Sequence, residues 1–374
     1  MALSVTPDPR PEVAGLLWQV YTDLAEAAFA LGDLRQATEM LLIAAEEAER
    51  LGRNDERLAE TLNKLGVLFY YERKYGPAKA LVESALGILQ RGEADRLDTA
   101  KLLYNLAGIY DADGDPVKAE QVCTTVCEML EGVKGREAEL AIALLKLGEL
   151  HLAKQQPLQA IFALRRALSI LEEHRIEDWV LAAVLTRIGD FYAIDQRPSE
   201  AEPFYWRALE IKKELFGEDP AVVKTLDRII GVYCRQRKFA QAQLLETWSL
   251  KLLESAFGAK SPNVLARVIP LASTLRAQGK LGEARDLLES SLPELEKLLG
   301  PNDLGFAEIL EHYAEVLRIL RQPEAALEYT SRAQRIRRSS ARARQAFPED
   351  SDVGARIAAL VAAASQRTEE SVSG

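Results

Sequence analysis

The chain has 374 residues, 48% hydrophobic and 28% charged, a balance that excludes both a disordered and a membrane-embedded polypeptide. Its formal net charge of −10 argues against general nucleic-acid binding, because phosphate would be repelled except where cations cluster locally. Three cysteines (Cys123, Cys127, Cys234) cannot build a disulfide framework, and Met1 to Pro11 lacks the basic and apolar regions of a secretory signal; a cytoplasmic address is expected.

In chain order, residues 1–11 hold three prolines and are expected to be an extended, flexible segment. One pattern then recurs. Leu65-Gly66-Val67-Leu68-Phe69 is followed, 41 residues on each time, by Leu106-Ala107-Gly108-Ile109-Tyr110, Leu147-Gly148-Glu149-Leu150-His151 and Ile188-Gly189-Asp190-Phe191-Tyr192. An alanine lies twelve positions after each small residue: Ala78, Ala119, Ala160 and Ala201. The register extends back to Ala25 with Ala37, and forward to Ile230 with Ala242, Ala272 with Ala284 and Ala314 with Ala326. Eight repeats thus begin near residues 18, 59, 100, 141, 182, 223, 265 and 307, with the last two steps stretched to 42.

Each repeat reads as two helices. In the fifth, Leu185, Ile188, Gly189 and Tyr192 fall on one face at 100° per residue. The small residue lets the second helix approach, a polar or breaker turn follows, and alanine enters the contact from the second helix. A helix pair of this size buries its apolar face only by stacking on its neighbours. Pro270 falls inside a first helix and predicts a bend or late start in repeat seven. Glu246 stands where most repeats carry an apolar residue, and predicts looser packing between repeats six and seven. The six arginines between Ser331 and Arg344 read as a continuation of the last helix. Phe347 to Asp352 reads as a break, and residues 353–366 as a helix capping the array within a 341–374 tail.

These residues match the tetratricopeptide pattern. The stretch Ala201-Glu202-Pro203-Phe204-Tyr205-Trp206-Arg207-Ala208-Leu209-Glu210-Ile211, with the link from Leu215 to Val222, closely resembles the kinesin-light-chain type of that repeat. The resemblance covers roughly residues 12–340. It implies an all-α fold, a right-handed superhelical solenoid of about eight helix pairs in one continuous array. Motor coupling is not implied, since no heptad coiled coil accompanies the repeats.

No catalytic constellation is legible. His151 replaces a core aromatic, Cys123 and Cys127 share a helix face as small hydrophobes, and no zinc-ligand set or phosphate loop occurs. Neither an enzyme nor a cofactor nor a metal is expected. Function then falls to the surface that stacking leaves free. On the first helices this face carries Asn63, Lys64 and Tyr70 in repeat two, and Lys101, Tyr104 and Asn105 in repeat three. It continues with Lys146, Arg187, Lys224, Arg228 and Arg235 in repeats four to six. Tyrosine gives contact area at low entropy cost, and amides and cations fix register. Lys64, Asn105, Lys146, Arg187 and Arg228 form a ladder at one position per repeat. In the resembling family the ladder is of asparagines contacting the backbone of bound peptide; here its charge implies an acidic peptide or helix. Glu149 and Asp190, three residues after Lys146 and Arg187, would neutralise the ladder from within each helix. The expectation is a scaffold or adaptor holding a protein or peptide in a concave groove. The alternative is a regulatory sensor whose superhelix changes shape on ligand binding.

Overall fold

The computed structural model describes residues 11–52, 55–91 and 96–346, with side chains as far as Ser339. The segments expected at residues 1–10 and 347–374, including the 353–366 cap, lie outside the described residues. The chain divides into two compact bodies, residues 1–215 and 216–374.

In the first body the leading helices of successive repeats are α1 (Pro11–Ala30), α3 (Glu56–Tyr71), α5 (Arg96–Ala112), α7 (Glu137–Ala153) and α9 (Trp179–Ile194). Their partners are α2 (Leu34–Leu51), α4 (Tyr75–Arg91), α6 (Pro116–Leu130), α8 (Pro157–Glu173) and α10 (Pro198–Phe216). In the second body a short 3-10 turn, Pro220–Val222, leads into α11 (Val223–Arg235) and α12 (Phe239–Phe257). Repeat seven follows as α13 (Pro262–Leu265), α14 (Val268–Ala277) and α15 (Leu281–Leu299), and repeat eight as α16 (Leu304–Ile319) and α17 (Pro323–Ala346). No strand occurs among the described residues.

The ends of these helices are written in local chemistry. Asp33, Asp55, Asp115, Asp178, Asp219 and Asp303 each accept from a free backbone N–H of the first turn that follows. Every turn inside a repeat carries one left-handed residue at the same place: Gly32, Arg73, Gly114, Gln155, Gln196, Arg237, Gly279 and Arg321. The next N–H reaches back to a carbonyl of the first helix, as in Lys74 to Phe69 (2.8 Å) and Gln322 to Leu317 (2.9 Å). This closes the Schellman end that satisfies otherwise unpaired carbonyls. Pro11, read as part of an extended leader, is helical and belongs to α1, seven residues ahead of the repeat register.

Packing inside a repeat depends on the small residue of the first helix. A Cβ on Gly66, Gly148 or Gly189 would lie 2.7 Å from Val82, 2.7 Å from Leu164 and 2.5 Å from Tyr205 respectively. Gly189 and Tyr205 are therefore in direct backbone-to-ring contact, and Tyr205 is 2% exposed. Between repeats the core is mostly apolar, with buried polar ties such as Trp18 Nε1 donating to Thr61 Oγ1 at 2.8 Å.

Repeat seven departs as its proline predicts. Its first helix is split into α13 and α14, and Pro270 falls in the first turn of the second piece, where it displaces no hydrogen bond. Glu246 is not at a loose contact. It is 7% exposed, and Thr274 Oγ1 of α14 donates to its Oε1 at 2.9 Å, while Oε2 is buried without a hydrogen-bond partner. Burial pushes its carboxyl up to about 7; the Thr274 bond and Arg267 oppose this, and Asp227 adds to it.

Candidate functional site

Stacking sets the leading helices of the first body side by side, so residues of successive repeats meet. Asn105 Nδ2 donates to Asn63 Oδ1 at 2.9 Å. Lys64 Nζ reaches Glu26 of the preceding repeat at 2.8 Å and Glu60 of its own helix at 2.7 Å. Lys146 Nζ donates to Asp111 at 2.6 Å, and Arg187 Nε to Glu149 at 2.7 Å. The ladder is thus neutralised chiefly across repeats. Glu149 serves Arg187 rather than Lys146, while Arg187 with Asp190 (3.3 Å) and Lys64 with Glu60 pair inside one helix. Burial lowers the Lys64 ammonium, yet its hydrogen bonds to Glu26 and Glu60 leave it above the usual lysine range. Burial likewise acts against Arg187, and Glu149 with Asp190 more than restores it.

Hollows open between these helices. The first, about 210 Å³, lies between α1 and α3 and is lined by Ala25, Phe29, Leu41, Val67 and Leu68, with Lys64 and Glu26 at its edge. A second, about 340 Å³, is bounded by Tyr70, Tyr71, Tyr104, Asn105, Lys146 and Glu149. A third, about 450 Å³, holds Asn63, Lys64 and Lys101 between α3 and α5. The fourth, about 320 Å³, lies between α5 and α7, with Leu97, Ala100, Val126, Leu130 and Ile142 below Asn63, Tyr104 and Asn105. Tyr104 is shared by two of them, and burial is the main influence pushing its hydroxyl up to about 12. Lys101 keeps to the rim, bonded to Asp98 at 3.1 Å.

One feature was not read from the sequence. Phe29 meets Tyr71 with tilted rings at 5.4 Å, Tyr71 meets Tyr70 edge-on at 5.7 Å and Tyr70 meets Tyr75 tilted at 6.0 Å, so aromatic rings run from repeat one into repeat two. Phe29 sits at a groove position of repeat one, and that position was the available signal.

The second body places its cations differently. Lys224 and Arg235 of α11 are exposed and make no side-chain ion pair among the described residues. Arg228 Nη1 donates to the Lys224 carbonyl at 3.1 Å. Asp227 is held by Arg267 from the break before α14, with Nη2 to Oδ2 at 2.9 Å.

His151 is a core residue as expected, 9% exposed with Nδ1 2.9 Å from Gln156 Oε1. Cys123 and Cys127 are buried, which pushes their thiols up to about 12 and about 11. Among the described residues no cluster of three or more His, Cys, Asp or Glu could hold a metal, and no helix is long and apolar enough to cross a membrane.

Family models described as tetratricopeptide repeat match residues 93–173, 181–221 and 265–339, together more than half of the chain. No curated protein matches by sequence. Among solved structures, BtubC (BKLC) from P. vanneervenii is similar with 22% identity over 60% of this chain and 92% of its own, at a TM-score of 0.55. The apo form of the quorum sensor NprR from B. thuringiensis is similar with 14% identity over 89% of this chain and 90% of its own, TM-score 0.56. Aspartyl phosphate phosphatase F from Bacillus subtilis is similar with 14% identity over 90% of this chain and 96% of its own, TM-score 0.54. At such identities the likeness is one of fold. With the repeat register, the turn geometry and the family matches in agreement, the chain belongs to the tetratricopeptide repeat family, whose stacked helix pairs serve as protein-interaction scaffolds.

Proposed function

We propose that this protein is an adaptor that holds a peptide or partner segment against the leading helices of its first body, and that it is not an enzyme. One observation carries the reading. The Asn63–Asn105 amide pair lines the hollow between α5 and α7, with the remaining Asn63 N–H groups and the Asn105 carbonyl unused by each other. An amide pair offering both donor and acceptor suits a peptide backbone, and flanking tyrosines supply contact area.

Recognition of acidic ligand groups belongs to Lys224 and Arg235 on α11 more than to Lys64, Lys146 and Arg187, whose carboxylate partners a ligand would have to displace. Free cysteines, two of them buried, suit a reducing, cytoplasmic setting. The sensor alternative is favoured by the second body, where a broken leading helix packs beside a buried carboxyl.

The test is site-specific photo-crosslinking. With Asn105→p-benzoylphenylalanine, a partner is expected to be captured in cell extract, while the same probe at exposed Leu158 captures none. Capture at 158 and not at 105 would place the binding surface elsewhere. Small-angle scattering with and without the captured partner separates adaptor from sensor: a change in dimensions on binding favours the latter.

A further inference from the structure

Two of the hollows are more apolar than the others. One lies between α1 and α3, walled by Phe29, Leu41 and Val67; the other lies between α5 and α7, walled by Leu97, Leu130 and Ile142. The amide pair lines the second of them, Asn63 reaching it from α3. Their separation follows from helix geometry. Packed helices stand ~8–10 Å apart, so two steps, from the α1/α3 cleft to the α5/α7 cleft, span ~16–20 Å. The hollows are also displaced by about six residues along the helices, ~9 Å at 1.5 Å per residue. The distance between them is therefore ~20 Å.

We infer that the groove selects an extended peptide carrying two bulky apolar side chains about six residues apart, separated by polar residues of no net charge. The inference rests on the groove reading above and specifies its ligand. An extended chain advances ~3.3 Å per residue, so ~20 Å is about six residues; a helix would need about thirteen. An extended chain is also the one whose backbone N–H and C=O are free for Asn63 and Asn105, because a helix satisfies its own. Charge complementarity fixes the residues between the anchors. Lys64 is held by Glu26 and Glu60, and Lys101 by Asp98, so this floor presents both signs in pairs. A ligand run of either sign meets like charge there, whereas neutral polar residues do not. The α1/α3 hollow, about 210 Å³, takes an aliphatic side chain, and the larger α5/α7 hollow, about 320 Å³, takes an aromatic one.

The experiment is selection of a displayed library of random 12-residue peptides on the full chain, followed by titration of synthetic binders. Expected binders carry two large apolar residues five to seven positions apart with polar residues between them. They should lose tenfold or more in affinity with either Val67→Glu or Ile142→Glu. Both side chains are only half-buried, so helical signal and melting should be retained; Leu158→Glu, on another exposed face, should leave affinity unchanged. Binders that depend on Val67 and Ile142 but carry one anchor, a helical periodicity or an acidic run would overturn this inference and leave the groove reading standing. Binders indifferent to both substitutions, or no enrichment at all, would overturn the two together.

Discussion

Repeats two, four and five close their helix pairs by apolar interlock, whereas repeat six sets polar atoms into the corresponding contact. In the first body a glycine of the leading helix lies against Val82, Leu164 or Tyr205 of the second. In the second body the equivalent pair is Ile230 and Glu246, and Glu246 turns to Thr274 of the next repeat, whose leading helix is broken. Apolar contact of this kind is indifferent to pH but intolerant of volume, since interiors are close-packed. A buried carboxyl is tolerant of volume but answers to protons.

The largest expected effect follows from the first half of that contrast. Gly189→Leu adds a side chain where even a Cβ would lie 2.5 Å from the Tyr205 ring, and should cost about 3 kcal/mol or more. Hydrogen exchange should show the loss concentrated in residues 141–215; uniform loss of protection in both bodies would contradict repeat-wise stability.

Glu246→Gln probes the other half. The folded carboxyl titrates at about 7, against an ordinary value of 4.5, so the folded state holds its proton longer than the unfolded chain. Stability from this group is full below about pH 4.5, falls as pH rises to about 7, and is flat above. The full difference is on the order of 3 kcal/mol at most. Glutamine keeps an acceptor for Thr274 and cannot ionise. Urea melts at pH 5 and pH 8 should therefore show the variant gaining on the parent at the higher pH, through loss of the second body's sensitivity. Equal pH profiles would mean that Glu246 does not titrate in this range.

Thr61→Val removes the acceptor of the Trp18 indole and should cost about 1 kcal/mol or somewhat more, since a buried donor is left unpaired. The smallest effects concern the cations. Lys146→Ala breaks a partly exposed pair with Asp111 and should change stability by no more than about 1 kcal/mol, with some loss at low salt. Lys224→Ala should leave stability unchanged and lower affinity for an acidic peptide, measured by titration at two salt concentrations. If Lys146→Ala had the greater effect on that affinity, acidic recognition would move to the first body.

Much of this was legible in the sequence because it is local. The recurrence of Gly66, Gly148 and Gly189 marked the close contacts, Pro270 announced the broken helix, and His151 followed from its place in an apolar row. The exchange of partners on the groove was not legible. Glu149 is three residues from Lys146 in sequence, yet stacking brings Arg187, 38 residues on, into its reach. Glu246 was read as a sign of loose packing because its acceptor role depends on Thr274 of another repeat. Pro11 was placed in an extended leader, although it is helical in the structure.

The left-handed residue that ends each leading helix has a consequence for how such a chain can be lengthened or shortened. It falls at residues 32, 73, 114, 155, 196, 237, 279 and 321, with φ between 57° and 85°, and only three of the eight are glycine. Gain or loss of a segment of one full period reconnects two copies in phase, and every hairpin keeps its own reversal. An insertion of any other length inside a helix throws the turn out of phase with the helix it ends and misaligns the carbonyls it should close. The turn therefore acts as a ratchet on genetic change, passing whole modules and rejecting fractions of them.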